Sequence, residues 1–377
     1  MGSSLTFSVF RHCLIGLLFL TGLPPWSAQG NNLVLKEPQG LAVDRSGNLF
    51  IADTKNHRVL RMDSTGTFTV IAGTGTPALN RDGSPANDEG LNNPKGLAID
   101  ETGNLFIADS GNHRIRKVDI KSHVISTVAG TGKPGFSGDG GLAIHAELNQ
   151  PRSIALDKTG NLFIADTEND RIRRVDAQTG MIATVAGSGQ DEGLDEEKLG
   201  DWLKFALGNP LGDGKKATKA ILSEPSDVKL DVAGNLFIAD DGHSRIRRVD
   251  AKSGRISKVV ATGNYVAKMS EGGAKHRALG SPLALVIDKN SNLYIASSSN
   301  QIQRVDAKSK KTTVIAGDNN GNKGYGGDDG EPGKALLNSP TEVIMDAKGN
   351  LIIADTGNNR IRYVDLAKNL ITTLVGR

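Results

Sequence analysis

The chain has 377 residues, with 45 Lys and Arg against 42 Asp and Glu and a formal net charge of +3. So small a charge is no nucleic-acid signature and argues for no particular partner. The one cysteine, Cys13, lies in the N-terminal segment, so the rest of the chain has no disulfide framework, no cysteine metal site and no cysteine nucleophile.

Residues 1–30 read differently from the remainder. Arg11 and His12 precede the apolar run CLIGLLFLTGL, and PPWSAQG follows, with Ala28 and Gly30 as small residues at cleavage spacing. The run is too short to cross a bilayer as a helix, and the pattern is that of a signal peptide. Trp26 sits badly at the −3 position for cleavage after Ala28, so cleavage after Gly30 is expected. The expectation is a secreted or periplasmic protein of residues 31–377, an uncleaved anchor being the alternative. No later apolar stretch is long enough for a spanning helix.

From there the chain repeats. Six units open on Pro38, Pro94, Pro151, Pro225, Pro282 and Pro340, with the longest gap between Pro151 and Pro225. Each proline leads a short apolar run ending in Asp, such as GLAVD, GLAID and SIALD. A second run follows in GNLFIAD or a close variant, a third in RIRRVD or its kin, and a fourth in ISTVAG or its kin. Runs of about five residues with β-branched content, bounded by Gly, Asn and Asp, are predicted strands. The D-x-x-G-N link between the first two suits a tight hairpin, since Gly takes positive φ freely and Asn nearly so.

Leu105, Phe106, Ile107 and Ala108 leave no polar face on the second strand, so both faces of each sheet need cover. Stacking sheets into a closed ring supplies it. The predicted fold is an all-β, six-bladed β-propeller of four-stranded antiparallel blades. The last unit has its own fourth run, so closure by contact between blades 6 and 1 is expected, with no swapped strand from NLVL at 32–35.

Asp53, Asp109, Asp166, Asp240 and Asp355 end the second runs, and Arg58, Arg114, Arg171, Arg245 and Arg360 follow five residues later. Unit five has Ser297 and Gln301 instead, losing both charges together. An Asp–Arg pair bracing the turn between strands two and three is expected, as a structural device.

The P-x-G-[LI]-A-[VI]-D…G-N-L-[FY]-I-A-D…N-H-R-[IV] pattern resembles the NHL repeat over nearly all of 35–376. NHRV at Asn56 and NHRI at Asn112 match its name-giving triplet, while NDRI at Asn169, HSRI at His243 and NNRI at Asn358 depart from it. The linker AGTGKPGFSGDGGLAIHAELNQP at 129–151 is similar to that of a longer bacterial variety, exported and with GDGG-type blade connections. The resemblance implies the propeller independently. It implies less about activity, because NHL propellers serve as binding platforms, receptor ectodomains and, in some relatives, lyases or hydrolases. Metal-binding histidines of amidating-lyase relatives lie one residue after the opening proline. Here those positions are Gln39, Lys95, Arg152, Ser226, Leu283 and Thr341, and none is histidine. Calcium lactonases of similar fold need inner-rim carboxylates and asparagine, and these positions offer only the Gln39 amide.

The four-strand order puts the turns between strands two and three on one face with the blade connections, and function is expected on this loop-rich face. Lys95 and Arg152 form a basic pair on adjacent blades that could receive a carboxylate or acidic glycan, the competing account being two solvated rim charges. The connections hold RDGSPANDEG, SGDGG and GGDDGEPG, where Asp82, Asp139, Asp328 and Asp329 could ligate calcium. None matches an ordered calcium-loop spacing, and Asp-Gly is ordinary turn chemistry. His57 and His113 occupy equivalent turn positions, too far apart around a ring to share a metal, and are expected to be structural; His123, His145 and His276 stand apart. In the long segment 188–224, Leu199, Trp202, Leu203, Phe205 and Ala206 suggest a short amphipathic helix, Trp202 offering an aromatic anchor or packing on a blade edge. No Ser-His-Asp constellation, phosphate loop or zinc-type histidine motif is present. The sequence reads as an exported binding or protein-interaction module, with no cofactor beyond a calcium alternative and no nucleic-acid partner. The rival reading is a metal-dependent lyase or lactonase-like hydrolase with its site on the propeller axis.

Overall fold

The computed structural model describes residues 33–79, 82–189, 211–261 and 280–376. The six units are six antiparallel sheets of four strands in chain order, spanning 38–72, 94–129, 151–186, 225–261, 282–316 and 340–375. Each innermost strand packs beside that of the next blade, and the first packs beside the sixth, closing a six-bladed propeller. All four strands of blade 6 come from its own unit, so no strand is exchanged at the closure. Leu33–Lys36 forms no strand. Leu35 is instead buried in the core between blades 6 and 1.

The doubly apolar second strands explain the ring. Leu105, Ile107 and Ala108 are fully buried, with Leu105 and Ile107 facing the core shared by blades 1 and 2 and Ala108 facing that shared by blades 2 and 3. Six such cores alternate with six blades. The first hairpin is an Asx turn: Asp44 Oδ1 accepts the N–H groups of Ser46 and Asn48 at 2.9 and 2.8 Å, and Gly47 takes φ 81°. The outer edges of blades 2, 3, 4 and 6 are covered by the connections that precede them. Ile125, Ile182, Ile256 and Ile371 donate to the carbonyls of Ser84, Gly141, Lys215 and Gly330, which blunts edges that would otherwise pair with other chains.

The aspartate ending the second strand is fully buried in five blades. Its Oδ1 accepts the N–H of the residue two before the opening proline: Lys36, Asn92, Asn149, Ser223 and Asn338 donate at 2.7–2.8 Å. Its Oδ2 accepts from the residue three further on: Asn56, Asn112, Asn169 and Asn358 through Nδ2, and His243 through Nδ1. One carboxylate thus ties the innermost strand, the second strand and the following turn together.

The arginine expected to complete this brace does so in two blades only. Arg58 and Arg114 reach Asp53 and Asp109 at 2.9 and 3.0 Å. In blades 3, 4 and 6 the guanidinium comes from seven residues on: Arg173, Arg247 and Arg362 lie 3.3, 3.2 and 3.4 Å from Asp166, Asp240 and Asp355. Arg171, Arg245 and Arg360 turn instead to the carbonyls of Asn169, His243 and Asn358. Arg171 and Arg360 also stack on Phe136 and Tyr325, 3.6 and 3.7 Å from the ring centres. Enclosure alone does not set the partner: in blade 2 the later arginine, Arg116, is wholly enclosed too, yet it goes to Asp82 at 3.1 Å and leaves Asp109 to Arg114.

The third turn residue latches each blade to the next. His57, His113, Asp170, Asn300 and Asn359 all adopt φ 48–57°. They accept the N–H groups of Asn93, Gln150, Glu224, Ser339 and Glu37 at 2.7–3.2 Å. In blade 4, Ser244 meets Ser281 hydroxyl to hydroxyl. The bond from Glu37 to Asn359, with that from Thr356 Oγ1 to the Pro38 carbonyl, seals blade 6 to blade 1.

Two tests follow from these contacts. Asp109→Ala removes the carboxylate that receives a buried guanidinium and two further donors, and should cost about 3 kcal/mol in denaturant unfolding; an unchanged midpoint would remove the brace. His57 and His113 must be unprotonated at Nδ1 to accept their bonds, and burial lowers both pKa values below the ordinary 6.5. The unfolded chain then binds protons that the folded chain refuses. Their contribution is present above about pH 6.5 and is lost as pH falls below it. The double variant His57→Asn, His113→Asn, copying Asn300 and Asn359, should lose less stability than wild type on going from about pH 7 to about pH 5. Equal losses in thermal unfolding would contradict the latch.

Candidate ligand site on the propeller axis

The first and second residues after each opening proline line one pocket on the axis, of about 400 Å³ including its open mouth. The first residues are Gln39, Lys95, Arg152, Ser226, Leu283 and Thr341; the second are Gly40, Gly96, Ser153, Asp227, Ala284 and Glu342. The pocket opens on the loop-rich face, because the innermost strands begin there. Lys95 and Arg152 are therefore brought to one site, as is Gln39.

The expectation of no inner-rim carboxylate is corrected by the second layer. Asp227 and Glu342 are buried on the axis, and Lys229, two residues on from Asp227, reaches between them, 2.7 Å from Asp227 Oδ1 and 3.6 Å from Glu342 Oε1. Asp227 also accepts the Ser153 hydroxyl, its neighbour Val228 N–H and, through Oδ2, the Leu285 N–H. Blades 3, 4, 5 and 6 are thus joined by a polar plug. Reading only the residue next to proline missed it. The usable signal was departure from the repeat: the second position is otherwise Gly, Ser or Ala, and the position of Lys229 is otherwise Ala42, Ala98, Ala155, Val286 or Ile344.

A third departure lies at the mouth. Where other blades have Thr54, Ser110, Thr167 or Thr356 bonding to the next proline carbonyl, blade 4 has Asp241, and Ser226 makes that bond instead. Asp241 faces Arg152 at 3.8 Å, and burial pushes its carboxyl up to about 6. Burial, with the charges of Arg152 and Lys55, pulls the Lys95 ammonium down to about 8. Burial also pushes Glu342 up to about 8. For Lys229 burial works against the charged form, but the carboxylates of Asp227 and Glu342 outweigh it and push its pKa up. Lys229 stands as the cation between the two axial carboxyl groups. The net charge facing the pocket mouth is positive. Perturbed groups gathered in one concave site are the physical signature of a functional one.

The other candidate residues have structural duties. Asp82, Asp139 and Asp328 receive the buried guanidinium groups of Arg116, Arg173 and Arg362 at 3.1, 2.6 and 2.7 Å. Asp213 does the same for Arg247. Each connection is thereby pinned to the blade it covers, and these carboxylates already hold a cation. Asp329 is set in the same turn as Asp328, with φ 60° and its N–H bonded to the Ile371 carbonyl. Among the described residues no group of three His, Cys, Asp or Glu is placed to hold a metal. No helix there is long and apolar enough to cross a membrane. Trp202 and its expected helix, His276 and residues 1–30 lie outside the described residues.

Residues 35–62 and 91–118 match the NHL repeat family model, and residues 131–195 match that of the Teneurin NHL domain. NHL repeat-containing protein 2 of Homo sapiens is 30% identical over 358 residues, covering 89% of this chain and 47% of that protein. Human Teneurin-4 is 30% identical over 378 residues, covering 92% of this chain and 13% of its own. The chain thus spans about half, or less, of the curated relatives it matches. Virginiamycin B lyase from Staphylococcus aureus superposes with a TM-score of 0.52 at 15% identity, over 90% of this chain and 86% of the lyase, a likeness of fold alone. With these matches on a ring of six four-stranded sheets, the chain belongs to the NHL-repeat β-propellers.

Proposed function

We propose that this protein is an exported binding module that works through its loop-rich face, taking an anionic group of a protein or acidic glycan at the axial pocket. The observation that carries the reading is the convergence of Lys95 and Arg152 on one concave site whose buried carboxylate, Asp227, is already held by Lys229. An arriving carboxylate meets two cations, Lys95 and Arg152, the second already facing Asp241 at 3.8 Å, while Asp227 in the pocket floor is held by Lys229. Export rests on the leader pattern of residues 1–30.

The rival reading, a lyase or lactonase with an axial metal, gains one observation: carboxylates do stand on the axis. Asp227, however, has both oxygens committed to Ser153, Val228, Lys229 and Leu285. A metal ion there would have to displace a built-in ammonium. Binding is the better-supported function.

Calorimetric titration with a galacturonate trisaccharide and with a hexaglutamate peptide tests the reading. At least one should bind wild type, and Lys95→Met with Arg152→Met should weaken it tenfold or more, about 1.4 kcal/mol. Affinity should fall as pH rises through about 8, because the Lys95 ammonium is lost there while Arg152 stays charged. No binding, or affinity indifferent to the double substitution, would contradict the reading.

A further inference from the structure

Glu342 is 7% exposed, lines the axial pocket, and its Oε1 has no hydrogen-bond partner. Lys229, the nearest cation, stands at 3.6 Å, beyond bonding distance, and spends its bond on Asp227 at 2.7 Å. A buried polar atom without a partner is costly in a finished fold. The repeat shows that the fold does not require it: four blades place Gly40, Gly96, Ser153 or Ala284 at this position. A side chain kept buried, with one oxygen unbonded and against the repeat, is poised for something that enters the pocket.

What enters is constrained at both ends. Lys95 and Arg152, on blades 2 and 3, ask for an anion. Glu342, on blade 6 across the ring, has an Oε1 that no donor reaches, with the Lys229 ammonium already 3.6 Å away, so it asks for a hydroxyl rather than a second cation or an anion. An incoming ammonium would crowd Lys229, and a second anion would meet the Asp227 side of the plug. Beside Glu342, Thr341 adds a hydroxyl, and across the pocket Gln39 adds an amide. The pocket is narrow, reaching about 400 Å³ only when the open space at its mouth is counted, so a ligand enters it by one small end.

The geometry points to a hydroxylated monocarboxylate, a sugar acid such as the end residue of an acidic glycan, with its carboxylate on Lys95 and Arg152 and a hydroxyl on Glu342. This rests on the anion reading of the same pocket and selects the glycan over the protein ligand. Sites built to bond a hydroxyl discriminate strongly against analogues that lack it.

The test compares D-galacturonate with cyclohexanecarboxylate, a ring acid without hydroxyls, by competition calorimetry. Wild type should prefer galacturonate by about tenfold or more. Glu342→Ala should reduce that preference to about twofold or less through loss of galacturonate binding, and Glu342→Gln, which still offers a donor and an acceptor, should restore most of it. Thermal unfolding of each variant separates loss of the site from loss of the fold. Equal affinity of wild type for the two acids, or a preference that survives Glu342→Ala, overturns the inference. If hexaglutamate binds and galacturonate does not, the sugar assignment falls while the anion reading stands. If none of these ligands binds, both fall.

Discussion

The buried aspartate at the end of each second strand is the constraint on which the blades depend. Its carboxylate takes a backbone N–H from the segment entering the innermost strand and a side-chain donor from the turn leaving the second, at a point where neither could find water. Hydrogen bonds to a charged group, closed off from solvent, contribute more than neutral ones. They also fix the angle at which the chain enters the ring. The turn that the aspartate closes carries the latch to the next blade, so the geometry inside one blade sets the spacing between blades. Blade 5 replaces the acid with Ser297 and the arginines with Gln301 and Gln303, removing buried charge of both signs at once. That coupled replacement is what a charge-balanced interior requires.

The same logic explains the glycine-rich connections. Their aspartates resemble cation-binding loops in composition, yet each holds a guanidinium projecting from the third strand of the blade it covers. The connection is therefore both a link and an edge guard, fastened by an ion pair and extended by ladder bonds to the outermost strand. With the aspartates so engaged, the loop-rich face offers its concave chemistry at the axis, where Lys95, Arg152, Asp241 and Glu342 gather around one opening.

Much of the fold was legible because the chain states it six times. The strand runs, the D-x-x-G-N hairpins and the closure by contact all follow from repetition and from second strands apolar on both faces. The partner of the buried aspartate was misread in blades 3, 4 and 6. Spacing alone could not tell which of two arginines, two residues apart on one strand face, takes the aspartate: blade 2 buries both and uses the first. The axial carboxylates were missed for a related reason. Attention to the residue beside each proline, taken from the resemblance, passed over the next one, where Asp227 and Glu342 break a small-residue pattern. In a repeat protein the invariant positions describe the scaffold, and the positions that break the pattern with buried charge mark what the scaffold carries.

The central claim is that the polar plug on the axis serves a ligand and not the fold. The most direct measurement is the thermal unfolding midpoint of a variant in which Asp227→Asn, Lys229→Met and Glu342→Gln together remove the charges at similar volume and keep an acceptor for the Val228 and Leu285 N–H groups. Replacing a buried ionic cluster as a whole by groups of similar volume is commonly neutral or stabilising, so the midpoint should hold or rise. A fall of several degrees would make the cluster part of the scaffold and contradict the account.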